Sequence, residues 1–220
     1  MLKKLIIRPF FGELPEWMPE YYKNIEDLKK YGFDFLIFTD KQKFIELAKE
    51  KLGITLDYSD YEAGDLRKVS ELRPAFGIIF EDYLKDYDFW GHTDFDVVYG
   101  RLDKFVSDEF LNSLDIFGND PEALCGPFSL FRNISKVNNL FKEEENWAEI
   151  FKDKIYHAFD EEGMSEVVKK ARDEGRIRAE FRFWQAGKYQ RVIKVKEDLY
   201  ADSEETMMFH FRNANKYPNL

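Results

Sequence analysis

Asp94 and Asp96 are separated by a single residue, Phe95, in the stretch YDFWGHTDFDVVYGRL at positions 87–102. The residues just before them, DFWGHT, are rich in aromatic and β-branched types and read as a strand over 88–93. Buried strands avoid carboxylates, so two at the strand's exit call for a reason. Side chains at i and i+2 of an extended segment project the same way, which lets both carboxylates converge on one point. There they repel and lose hydration unless a cation lies between them. Oxygen donors select hard divalent ions such as Mg²⁺ or Mn²⁺. The carboxyl ends of strands in an open α/β sheet are where ligands bind. The chemistry expected is therefore a metal site that holds a phosphorylated ligand. The alternative is a pair of solvated aspartates at a strand-to-loop exit.

The elements that must position this pair follow from periodicity. KKLIIRPFF (3–11) reads as a buried strand, and WMPEYYKNIEDLKKY (17–31) has helical spacing of Trp17, Tyr21, Ile25 and Leu28. FDFLIFTD (33–40) is a second strand with an acidic tip, and KQKFIELAKEKLG (41–53) a helix with a glycine stop. Strand and helix alternate, which implies a mostly parallel α/β sheet. TLDY (55–58) suggests a third short strand, and Pro74 opens a helix expected over 74–85. In the second half, a short helix is expected at 107–114, strands at 115–119 and 123–133, and helices within 134–151 and 160–174. Strands then follow at 178–184, 189–195 and 206–211. The acidic run KEEEN (142–146) reads as a solvated helix face.

Composition bounds the rest. The 220 residues suit one large domain, and 44% hydrophobic with 17% aromatic content supports a sizeable core. Lys+Arg 33 against Asp+Glu 43 gives a net charge of −10, which disfavours nonspecific binding to nucleic acid. The single cysteine, Cys125, excludes an internal disulfide or a cysteine-cluster metal site. No run of about 18 apolar residues is present, and the N-terminal run lacks the features of a signal peptide. A cytoplasmic protein without a membrane span is expected, with peripheral association compatible.

The segment LRPAFGIIFEDYLKDYDFWGHTDFDVVYGRL (72–102) resembles the Asp-x-Asp region of GT-A fold glycosyltransferases, in a subgroup associated with polysaccharide synthesis. RPFFGELPEW, FDFLIFTD, CGPFSLFRN and FDEEG fall in the order that the family shows. MMFHFRNANKYP is similar to the His-containing C-terminal segment of glycogenin-like retaining transferases. The resemblance implies one GT-A-like (Rossmann-like) domain over 1–220, mostly parallel in its central sheet, with a smaller antiparallel portion in the C-terminal half. Residues 1–100 would be the nucleotide-binding half and 101–220 the half for donor sugar and acceptor.

The resemblance also assigns roles. Asp94 and Asp96 would bind Mn²⁺ or Mg²⁺ with His210 as the third protein ligand, and His92 would stand behind them. Pro9, Phe10 and Phe11 would pack on a base and ribose, with plain core the alternative for Phe10 and Phe11. Asp40 would receive base or ribose hydrogen bonds, or cap the helix at 41–53. Arg73, Lys216 and Arg212 would meet the diphosphate, or be surface cations. Gly126 would let the backbone approach the donor sugar, or only bend a strand. Asp160 and Glu161 would line the acceptor side, one of them as the base of an inverting mechanism; Asp160 is otherwise a helix cap. The implied activity is transfer of a hexose or deoxyhexose from a nucleotide-sugar donor, with UDP the preferred nucleotide, to a glycan or lipid-linked hydroxyl, inverting or retaining. Trp90, Trp184 and Tyr189 are candidates to stack on sugar rings, with core the alternative for most of them. Two alternatives stay open. DFDVV also matches the nucleophile motif of haloacid-dehalogenase-like phosphatases, with Asp94 attacking phosphorus, although that motif belongs on a first strand. A non-catalytic GT-A-like module that binds a nucleotide is the other.

Overall fold

The computed structural model describes residues 1–57, 67–186, 192–202 and 204–210. Its strands are β1 (Lys4–Pro9), β2 (Phe33–Phe38), β3 (Phe89–Thr93), β4 (Val97–Tyr99), β5 (Ile116–Gly118), β6 (Phe128–Arg132), β7 (Ala179–Phe181), β8 (Gln185–Ala186), β9 (Val192–Val195), β10 (Asp198–Ala201), β11 (Glu204–Thr206) and β12 (Met208–His210). The α-helices are α1 (Met18–Glu26), α2 (Lys41–Leu52), α3 (Arg67–Ser70), α4 (Phe76–Ile79), α5 (Leu102–Phe105), α6 (Asp108–Asn112), α7 (Ser135–Asn138), α8 (Trp147–Lys152) and α9 (Met164–Asp173).

The central sheet runs β2-β1-β3-β6-β5-β7. β1 pairs in parallel with β2 and β3, and β7 with β5, while β6 is antiparallel to both its neighbours. All strands but β6 therefore point the same way, as the mostly parallel α/β expectation requires. Alternation along β1 separates two layers. Leu5 and Ile7 join Phe38, Phe44, Phe76 and Phe80 on one face. Ile6 joins Met18, Tyr21, Phe33 and Phe89 on the other. A helix layer covers each face: α2, α4 and α9 on the first, α1 and α6 on the second.

Two smaller sheets lie in the C-terminal part. β9, β10 and β11 form an antiparallel meander. β12 pairs antiparallel to β4 and parallel to β8. β4 is itself pinned to α1 by Asn24, whose side chain donates to Tyr99 O at 2.9 Å and accepts from Tyr99 N at 2.7 Å.

The structure departs from the sequence reading in several places. Residues 55–57 form no strand; Ile54 and Leu56 are buried as single side chains. The helix expected over 74–85 is a chain of short turns, 3₁₀ at Arg73–Ala75, α4, then 3₁₀ at Glu81–Tyr83. Gly77 lies at the tightest point. A Cβ there would come within 2.7 Å of Asn138 and of the Trp90 indole. The helical stretch at 134–151 is likewise divided into α7, a 3₁₀ turn at Leu140–Glu143 and α8. Trp90 is fully buried, stacked on Phe131 with ring centroids 4.3 Å apart and donating to Asn138 Oδ1 at 2.8 Å; it belongs to the core and not to a sugar platform. Trp184 packs among Phe105, Phe110 and Phe117. Tyr189, Arg212 and Lys216 lie outside the described residues. No described helix is long and apolar enough to cross a membrane.

Candidate active site

β3 ends at Thr93, and the chain bends through residues 94–96 before β4 begins. Phe95 turns inward and is 4% exposed, with Phe10 and Tyr21 against its ring. Its carbonyl accepts from Trp17 Nε1 at 3.3 Å, and the Thr93 hydroxyl donates to Asp94 O at 3.0 Å. Anchoring Phe95 in the core leaves Asp94 and Asp96 together on the outer side. The result expected from an extended i, i+2 pair is thus reached through a bend.

The third member arrives from the far end of the chain. β12 pairs with β4 so that His210 lies opposite Val97. One ligand atom each from Asp94, Asp96 and His210 then lies within 4.8 Å of the others, and His210 Nε2 is 3.4 Å from Asp96 Oδ2. Donors around Mg²⁺ sit at ~2.1 Å, so ligand atoms are roughly 3 Å apart at right angles and roughly 4 Å apart when opposite. The trio needs only a small contraction to meet those values. Two carboxylates and one imidazole also suit Mn²⁺ or Mg²⁺ as a donor set.

Two arginines complete this side. Arg73 Nη2 lies 2.5 Å and Arg8 Nη1 3.3 Å from Asp94, both on Oδ1. Burial opposes the Asp94 charge, but Arg73 and Arg8 more than offset it and hold the carboxyl well below the usual carboxylate range. Burial likewise opposes the charge on Arg73, and Asp94, Asp160 and Glu161 overcome it, so its guanidinium is firmly protonated. His92 is buried in β3. Burial and the nearby Arg73 hold it well below the usual imidazole range, and its Nδ1 is 3.1 Å from Gly126 O.

Arg73 connects the Asp94–Asp96–His210 cluster to a second pair of carboxylates. Its Nη1 donates to Asp160 Oδ2 at 3.0 Å, and Tyr156 OH donates to Asp160 Oδ1 at 3.3 Å. Glu161 Oε1 accepts from Gly126 N at 2.8 Å. A Cβ on Gly126 would lie 2.5 Å from that oxygen and 2.8 Å from Arg73 Nη1, so these two side chains close on the bare backbone. Desolvation pushes Asp160 up to about 6. Arg73 pulls the other way, but the like charges of Glu161 and Asp94 add to the effect of burial. Asp160 and Glu161 sit in a π-helical turn, Phe159–Gly163, which leads into α9.

The turn is set by a buried pair on α3 and the residue after it. Lys68 Nζ pairs with Glu71 and donates to Ile150 O at 2.5 Å and to Ile155 O at 3.0 Å. Glu71 Oε1 accepts from the backbone N–H groups of His157 and Phe159. Those two residues bracket Ala158, whose φ of 55° is left-handed for a residue with a Cβ. Glu71 holds that unfavourable turn in place directly before Asp160.

The structure thus brings together Asp94, Asp96, His210, Arg73, Gly126, Asp160 and Glu161 from the residues singled out in sequence. Phe10 stands beside them through Phe95, at the tip of β1 with Pro9. Phe11 packs on Phe44. Asp40 caps α2, accepting from Lys43 N at 2.9 Å. Sequence reasoning missed Arg8, Tyr156 and the Lys68–Glu71 pair. The visible signal for Arg8 was an arginine inside the apolar run LIIRPFF.

Among solved structures, the chain is similar to a glycosyltransferase involved in the glycosylation of the major capsid of PBCV-1. The identity is 9%, the TM-score 0.47, and 94% of this chain and 93% of that one are covered. It is also similar to mouse xyloside xylosyltransferase 1 in its apo form, with 10% identity, TM-score 0.39, and 96% and 87% covered. No curated protein matches it. A family model matches residues 6–217, and by that match the chain belongs to a family of unknown function, DUF6625.

Proposed function

We propose that this protein transfers a sugar from a nucleoside-diphosphate sugar to a hydroxyl group of a glycan or lipid-linked acceptor. One observation carries the reading: a possible divalent-cation donor set and the buried carboxylate Asp160 share a single arginine, Arg73, beyond the end of β3. Asp94, Asp96 and His210 would hold Mn²⁺ or Mg²⁺, which when bound supplies Lewis-acid stabilisation of a departing diphosphate. The protein's own part is electrostatic. Breaking the bond between the anomeric carbon and the phosphate oxygen leaves negative charge on that oxygen, and Arg73 offers a fixed positive charge beside it. As the new bond forms from the acceptor oxygen to the anomeric carbon, the acceptor's proton must leave. In an inverting reaction Asp160 is the group to take it, because a carboxylate with a pKa near 6 is ionised at neutral pH yet basic enough to help. Glu161 is tied to Gly126 N and positions the loop. UDP is the preferred nucleotide, by family resemblance. Residues 1–100 would carry the nucleotide, with Pro9, Phe10, Phe11 and Asp40 near the base and ribose and Lys216 toward the phosphates. Residues 101–220 would carry sugar and acceptor.

The test is a screen of nucleotide sugars for Mn²⁺-dependent hydrolysis without acceptor. Turnover of at least one donor, lost in the Asp94→Ala/Asp96→Ala double variant, is expected. Turnover that survives the double variant would contradict the proposed site. Intact nucleotide binding with no turnover of any donor would point to a binding module.

A further inference from the structure

Four cationic side chains are buried among the described residues, Lys4, Arg8, Lys68 and Arg73. Three of them are satisfied. Lys4 Nζ donates to Asp108 Oδ1 at 2.8 Å, Lys68 to Glu71 and two carbonyls, and Arg73 to Asp94 and Asp160. Arg8 is the exception. It is 9% exposed, and its Nε is buried with no partner. Among the described residues, its guanidinium has only the 3.3 Å ion pair to Asp94 Oδ1, an oxygen that Arg73 already holds more closely, and the face of Phe95 with the ring centroid 5.4 Å away. A guanidinium carries five N–H donors. Burying one with so little compensation is unfavourable, and a structural arginine normally has its donors engaged.

We propose that Arg8 is an oxyanion-binding residue of this site, which takes a phosphoryl oxygen of the ligand and gives the site a cation-independent affinity for diphosphate. The planar fork of arginine matches phosphate in geometry and charge. Arg8 can turn to a ligand without stranding Asp94, because Arg73 stays on the same carboxylate oxygen. No bond is made or broken: Arg8 N–H groups donate to the ligand oxygen in place of their long contact with Asp94. The proposal rests on the diphosphate reading above, and its test is kept separate by using neither a nucleotide sugar nor a metal.

The probe is inorganic pyrophosphate in the presence of a chelator, titrated calorimetrically at low salt into the full chain. Wild type should bind. Arg8→Met should bind ~10–100-fold more weakly, the range for loss of charge-assisted hydrogen bonds, and Arg8→Lys should fall between them. The melting temperature of Arg8→Met should hold or rise, because a poorly compensated buried charge has been removed. Absence of pyrophosphate binding by wild type in chelator overturns the assignment, and this arm needs no variant to fold. Wild-type affinity in Arg8→Met together with a lowered melting temperature also overturns it, and makes Arg8 structural. Arg8-dependent pyrophosphate binding alongside a failed donor screen would support the oxyanion site and count against the transferase reading alone.

Discussion

Two buried ion networks lie only a few residues apart in the chain, and they are built to opposite ends. Lys68 and Glu71 face each other with side chains 2% and 0% exposed, and their remaining capacity goes to backbone groups of residues 150–159. Arg73, one turn further on, pairs instead with two carboxylates, Asp94 and Asp160. Its neighbour Arg8 keeps a buried Nε without a partner among the described residues. Buried charges that end on backbone groups fix a loop. Buried charges that end on other titratable side chains, with donors to spare, form a site whose balance a ligand can change.

The comparison can be broken most easily at the first network. Lys68→Met leaves Glu71 buried and unpaired, a loss expected at about 3–5 kcal/mol. Urea denaturation should show it as a lower midpoint with little change in slope. A cost below about 1 kcal/mol would mean that the pair does not hold the loop.

Asp160 should act in the opposite direction. Its pKa is raised to about 6 in the folded chain against about 3.9 when unfolded. Between those values the native state keeps a proton that the unfolded state has released, so stability falls as pH rises through that window. Above pH 6 the full penalty applies, roughly 2–3 kcal/mol for a shift of about two units. Asp160→Asn should remove the decline and be the more stable protein at pH 7.5 by about that amount. Parallel stability-versus-pH curves for wild type and variant would show that the carboxyl is not raised.

His210 is buried in β12 and should contribute both packing and a ligand atom. We expect His210→Ala to cost about 1 kcal/mol and to weaken, without abolishing, Mn²⁺-dependent nucleotide binding. Loss of several kcal/mol with metal affinity retained would make the histidine structural. The smallest change in stability belongs to Asp96→Ala, within about 0.5 kcal/mol, because Asp96 sits at a strand exit and is partly exposed. That variant should nevertheless lose Mn²⁺-dependent binding altogether.

How far the sequence could be read follows the range of the interactions. β1, α1, β2 and α2 were legible because their apolar periods are long and because Asp40 and Gly53 mark the bounds of α2. Asp94 and Asp96 were legible because carboxylates stand out beside Phe89 and Trp90. β4 was not. It has three residues, and its pairing with β12 joins positions far apart in the chain. The β9–β10 hairpin carries no glycine signal, since the left-handed residue in its turn is Lys196. Lys68 and Glu71 were not singled out in sequence; apart from each other, their partners are backbone groups 82–88 residues away. Gly126 lies against Glu161 and Arg73, contacts that no local sequence signal marks.

The central claim is that Asp94, Asp96 and His210 hold a divalent cation that in turn holds a nucleoside diphosphate. Calorimetric titration of UDP and GDP into wild type and Asp96→Ala, each with Mn²⁺ and with chelator, tests it most directly. Tight binding of at least one of the two by wild type with Mn²⁺, weaker binding in chelator, and no gain from Mn²⁺ in Asp96→Ala are expected. Equal affinity with and without Mn²⁺ in wild type, or an undiminished gain from Mn²⁺ in Asp96→Ala, would contradict it.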